Sequence, residues 1–215
     1  MTTTVDKLRS RGRLIAPVMF ALLLLFALPA HRAHAEAADA TEMLREFYQV
    51  LLRTMHDGRA LGPQGRYAKL EPVIASTFDI DFMAQTAVGP AWNKLSESQQ
   101  TRLTAAFKRY LVATYADNFD EYGGEALLIT GEKPAKHGCM VESRIVKDGV
   151  TVEVNYLVAQ DGAAWRVRDV YMAGMISELA VRRSQFVSIL HRDGVDGLID
   201  LLHQKADKLI KTAEL

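Results

Sequence analysis

The chain has 215 residues, in which 26 Lys and Arg balance 26 Asp and Glu, and its only cysteine is Cys139. The charge balance excludes a broad basic footprint for nucleic acid or anionic lipid headgroups. One cysteine excludes an intramolecular disulfide, so an exported domain of this kind must rely on its hydrophobic core.

The first 35 residues read as a leader. Lys7, Arg9, Arg11 and Arg13 form a basic start, Leu14 to Ala30 is an apolar run, and Ala33-His34-Ala35 supplies the small residues of a signal-peptidase site. The alternative is a retained membrane anchor, for which the run is short of the roughly 20 residues a span needs. Cleavage after Ala35 leaves Glu36 to Leu215, which carries 21 basic and 25 acidic residues once the leader's five and one are removed. That length suits a single soluble, exported domain.

Asp39 to His56 has helical spacing, with Leu44, Phe47, Leu51 and Met55 on one face. Asp57-Gly58 ends it, and Leu61 to Gly65 reads as a turn-rich connection. Tyr67 to Phe78 is a second helix with Leu70, Val73, Ile74 and Phe78 apolar, in which Pro72 fits only near the first turn. Asp79 caps a short third helix carrying Phe82, Met83 and Val88, and Gly89-Pro90 stops it. Ser96 to Gln99 has the form of a capping box. The long helix it opens runs to about Tyr122, with Leu103, Phe107, Tyr110, Leu111, Thr114 and Phe119 apolar, and Gly123-Gly124 is its stop.

The period then changes to two. Glu125–Thr130, Cys139–Val146, a run alternating through Val152, Val154, Tyr156 and Val158, and a run with Trp165, Val167, Asp169 and Tyr171 on one face read as four strands. Lys147-Asp148-Gly149 and Asp161-Gly162 are hairpin turns, so the strands form an antiparallel meander with one greasy face. Gly174 closes the sheet. Two amphipathic helices follow, Ser177 to about His191 and Val195 to Lys211, separated by Asp193-Gly194. Helices at both ends of the chain, covering one face of a four-stranded twisted antiparallel sheet, make an α+β domain.

No catalytic motif emerges. His56, His137, His191 and His203 lack metal-ligand spacing and none pairs with Cys139, whose strand context suits a buried, inert thiol better than a redox or nucleophilic role. There is no GxSxG, and Gly62-Pro63-Gln64-Gly65 lacks the lysine of a phosphate loop. Neither metal nor cofactor is expected. Asp169 alone stands out, as a carboxylate on an apolar strand face. It either forms a structural ion pair with Arg183, pinning the last helices to the sheet, or serves as a general base in a cavity with Tyr171 as oxyanion donor. Trp92 and Trp165 are either core or cavity lining. Arg182-Arg183 is either a solvated helix face with one internal ion pair or a partner-docking patch.

A set of ordered elements carries a family likeness. They are Gly89-Pro90-Ala91-Trp92, a helix with Gln99-Gln100 and Ala106-Phe107, and the Tyr122-Gly123-Gly124 corner. They continue with Trp165-Arg166-Val167-Arg168-Asp169-Val170, Gly174, Ser177, Arg183-Ser184-Gln185-Phe186 and Ile189-Leu190. From roughly Thr41 to Leu209 the chain resembles the MlaC / toluene-tolerance family of periplasmic lipid-binding proteins that serve ABC-type transporters. Gly65 to Pro72, Thr77 to Ile80, Phe82-Met83-Ala84 and Ala113 to Ala116 resemble its hopanoid-associated HpnM branch. Val181-Arg182 stand where the family typically has Asn-Tyr, and Ile176-Ser177 where it commonly has Val-Ser.

The resemblance implies a non-enzymatic periplasmic shuttle with an apolar pocket between sheet and helices. Its ligand would be a phospholipid or hopanoid. Its partners would be an inner-membrane lipid transporter complex and an outer-membrane component, with the carrier itself a monomer. The apolar-face set offered for the pocket lining is Leu44, Phe47, Val73, Ile74, Met83, Trp92, Phe107, Leu111, Ile129, Val154, Tyr156, Val167, Tyr171 and Met175. The competing readings are an enzyme using Asp169 and Tyr171 on an apolar substrate, and an interaction protein with a filled interior.

Overall fold

The computed structural model describes the backbone from Pro29 to Lys211 and side chains from Ala40 onward. Of the leader expected over residues 1–35, the part before Pro29 lies outside the described residues. Glu36–Leu215 form one compact unit, and Met1–Ala35 fall to another.

Helix α1 (Pro29–His56) buries Leu44, Phe47, Leu51 and Met55, the stripe that its periodicity predicts, and Tyr48 beside them. Helix α2 (Gly58–Thr77) starts sooner than the composition suggests. Its backbone leaves the helix only at Gly62 (φ 61°, ψ 177°), a left-handed conformation that glycine adopts without steric cost. Pro63 then opens the next helical stretch, where a missing N–H is harmless. The expected placement of Pro72 near a helix start is corrected: it lies well inside α2. An interior proline forfeits one helical hydrogen bond at about 3 kcal/mol. Burial of Leu70 and Ile74 on either side offsets this.

Asp79 caps α3 (Ile80–Val88) by accepting the Phe82 N–H at 3.2 Å. The chain then passes through a 3-10 turn, Gly89–Lys94. Ser96 and Gln99 form a reciprocal capping box at the start of α4 (Glu97–Asn118), which ends four residues short of Tyr122.

The sheet is a meander of neighbouring antiparallel strands in the order β1 (Ala126–Ala135), β2 (Gly138–Lys147), β3 (Val150–Asp161), β4 (Ala164–Met172) and β5 (Ile176–Ser177). The two-residue β5, pairing Tyr171 with Ser177, raises the expected four strands to five. Asp148 and Gly149, at φ 50° and 79°, make the primed turn that matches strand twist. Helix α5 (Glu178–Lys211) is broken at Gly194 (φ 69°), so it comprises the two predicted helices end to end.

One irregularity alters which residues face the helices. In the β3–β4 ladder Leu157 pairs with Asp169, but Val158 pairs with Val167. Arg168 is therefore an extra residue, a bulge, and a bulge reverses the alternation beyond it. Trp165 and Val167 share a face with Val170 and Met172, not with Asp169 and Tyr171. The predicted grouping of Val167, Asp169 and Tyr171 on one face is corrected accordingly.

Candidate lipid cavity

The sheet and helices do not close completely on each other. A cavity of about 660 Å³ remains between them. Its sheet wall is Ile145, Val150, Val152, Val154, Tyr156, Val170 and Met172, contributed by β2, β3 and β4. Its opposite wall is a stripe of α4, Leu111, Thr114, Tyr115 and Asn118, at helical spacing. Met55, Met83, Phe119 and Leu179 complete the apolar surface. Val150 is 64% exposed and Val152 40%, so the cavity reaches solvent at the β2–β3 hairpin.

Aromatic side chains seal the inner end. Phe47 meets Phe78 and Tyr115 edge-on at 5.3 and 5.6 Å, and Tyr115 stacks on Phe119 at 5.7 Å. Tyr48 lies edge-on to Tyr156 at 5.9 Å, and its hydroxyl shares a 2.5 Å hydrogen bond with the Ser143 hydroxyl. Burial pushes the hydroxyls of Tyr48, Tyr115 and Tyr156 above the ordinary tyrosine range. They stay neutral, so the inner wall carries no formal charge.

Charged side chains also line the cavity: Glu125 just before β1, Lys147 from β2, Asp148 from the β2–β3 turn, and Glu178 and Arg182 from α5. Lys147 donates to Glu125 at 2.6 Å, and this bond, with the accompanying charge, raises the lysine's pKa against the effect of desolvation.

Of the expected lining residues, Met83, Leu111, Val154 and Tyr156 come together here. Leu44, Phe47, Ile74, Phe107 and Val167 are at most 1% exposed and fill the closed core instead. Val73 and Ile129 are partly buried against that core. Trp92 borders a separate hollow with Asp81, Glu97 and Lys108. Tyr171 falls on the other strand parity because of the bulge, and Met175 is 85% exposed in the turn before β5. Helical spacing alone could have found the α4 stripe of Leu111, Thr114, Tyr115 and Asn118, of which the expected lining set names only Leu111. What spacing could not find is Val170 and Met172, moved to this face by the Arg168 bulge.

The Asp169–Arg183 pair is also corrected. The Asp169 carboxylate accepts the Ser177 hydroxyl at 2.6 Å and the backbone N–H groups of Val170 and Leu179 at 2.8 and 3.2 Å. Ser177 in turn accepts the Ala180 N–H at 3.0 Å. Asp169 thus ties the first turn of α5 to the sheet, the anchoring role expected of it, through nearer donors. Arg183 is exposed and its guanidinium lies against Gly89. Neither Asp169 nor Tyr171 lines the cavity. A carboxylate already holding three donors is a poor general base.

A greasy hollow between a curved meander and its helices is the geometry of the family suggested by the motifs, and residues 45–204 match the family model described as MlaC protein. The chain belongs to the MlaC family. It is 24% identical over 190 residues to the toluene tolerance protein ttg2D of Pseudomonas putida, an alignment covering 86% of this chain and 84% of that one. Its fold also matches a phospholipid-binding protein from Ralstonia solanacearum, whose structure was solved in complex with a phospholipid. That match has a TM-score of 0.71 at 23% identity and covers 80% of this chain and 99% of the other. This MlaC-family chain therefore keeps the complete fold of that neighbour.

Proposed function

We propose that this MlaC-family protein is a periplasmic lipid carrier that performs no chemistry. The observation that carries the reading is the apolar cavity of about 660 Å³, open to solvent beside Val150 and Val152. Each methylene hidden from water contributes about 0.8 kcal/mol. Exposing a chain of about fifteen methylenes would thus cost about 12 kcal/mol. Unaided transfer through an aqueous compartment is correspondingly slow, and a carrier removes that barrier by covering the hydrocarbon.

The ligand is a phospholipid or a hopanoid, the latter supported by the likeness of Gly65 to Pro72 and Ala113 to Ala116 to the HpnM branch. A fused-ring lipid suits such a hollow because it is rigid and loses little conformational entropy on binding. The leader ending at Ala35 supports export, and family membership supports delivery to or from an inner-membrane lipid transporter. The test is to purify the protein from a host that makes both lipid classes and identify extracted lipids by mass spectrometry. A stoichiometric phospholipid or hopanoid is expected. Protein that carries no lipid and takes none up from vesicles would overturn the proposal.

A further inference from the structure

Arg182 projects from the second turn of α5 into the cavity wall, with only 13% of its side chain exposed. A guanidinium offers five N–H donors and is charged at any physiological pH. Its guanidinium carbon lies 5.1 Å from the centroid of the Tyr110 ring. Burial raises the Tyr110 pKa, but hydrogen bonding to Arg182 and its charge, together with the charge of Lys205 and a hydrogen bond with Thr114, outweigh this, so the hydroxyl ends below its ordinary value. Glu178 approaches Arg182 only to 3.6 Å, and its side chain is 35% exposed. That distance steadies the charge without forming a close hydrogen-bonded pair. Lys147, the other lysine or arginine of the lining, is by contrast bonded to Glu125 at 2.6 Å. Arg182 is thus the cationic lining residue whose donors are least engaged by carboxylate.

Resting on the carrier reading, we propose that Arg182 is a polar anchor that selects lipids bearing an oxyanion, a carboxylate or a phosphate, at the end of an apolar body. The guanidinium fork matches two oxygens of either group. On binding, the oxyanion replaces Glu178 as the neighbour of Arg182, and the half-exposed Glu178 side chain turns to water. Glu178 thereby acts as a competitor that is displaced when cargo arrives.

The test is displacement of the neutral probe N-phenyl-1-naphthylamine by dodecanoate, dodecyl phosphate and dodecan-1-ol. Wild type should bind at least one of the two acids about tenfold more tightly than the alcohol, the fold-change of one charge-assisted hydrogen bond. Which acid leads distinguishes a fatty carboxylate from a lipid phosphate. Arg182→Gln should abolish the preference, weakening the acids far more than dodecanol. Arg182→Lys should retain part of it, and Glu178→Gln should strengthen it. Equal affinity for all three probes in wild type overturns the inference, as does an Arg182→Gln variant weakened alike for acid and alcohol. Should Arg182→Gln fail to fold, the wild-type ranking and the Glu178→Gln shift decide. If dodecanol itself displaces nothing from wild type, the carrier reading fails with it.

Discussion

Asp169 and Cys139 are two buried groups whose chemistry is suppressed by their surroundings. The Asp169 carboxylate is satisfied by Ser177 and by the N–H groups of Val170 and Leu179. Asp169→Asn replaces one acceptor oxygen with a donor that faces other donors, a loss of about 1–3 kcal/mol. The expected result is a lower midpoint in urea unfolding, with no change in slope and lipid uptake preserved at temperatures where the variant is folded. Loss of an activity in a variant of unchanged stability would instead favour the enzyme reading. Burial, helped by the charge of Glu132 and a hydrogen bond to it, pushes the Cys139 thiol up to about 12. A neutral thiol is a poor nucleophile. Iodoacetamide at pH 8 should label Cys139 far more slowly in the native protein than in guanidinium. This raised pKa also links to stability: the contribution is intact below about pH 8.5, where the thiol of an unfolded chain begins to ionise. It is lost as pH rises toward 12, because only the unfolded chain then releases the proton.

At the scale of elements, the caps were the most legible signals. Asp79 and Ser96 are read directly from sequence because the side-chain oxygen and the N–H groups it accepts lie three residues apart. Ser96→Ala should cost about 1 kcal/mol by denaturant titration while lipid uptake is unchanged, since α4 begins well away from the cavity. Gly138→Ala should be far worse. Its φ is 133°, and an added Cβ would fall 1.9 Å from the Val158 carbonyl oxygen. The predicted outcome is little folded protein, checked by circular dichroism. Elements set by long-range pairing were less legible. The bulge at Arg168 arises from the register of β3 against β4, and β5 exists because Ser177 folds back to pair with Tyr171. Neither leaves a local pattern, so strict alternation groups Asp169 and Tyr171 with Val167, and the register separates them.

Across the whole molecule, the α+β architecture followed from changes of hydrophobic period, but the cavity did not. Core and cavity draw on the same apolar residue types. Phe107 and Leu111 are one turn apart on α4, yet Phe107 meets Phe186 in the closed core and Leu111 borders the hollow. That division depends on how far the sheet stands from the helices, a property of the assembled fold. The sharpest test fills the hollow without touching its edges. Val154, buried on β3, points into it, and Val154→Trp would occupy much of the space at a modest packing cost, about 1–3 kcal/mol. Wild type and variant would be incubated with lipid vesicles and examined by native mass spectrometry. Wild type should carry one lipid per chain, and the folded Val154→Trp protein should carry none. Equal lipid loading in both, or a bare wild type, would contradict the assignment of this cavity as the lipid site.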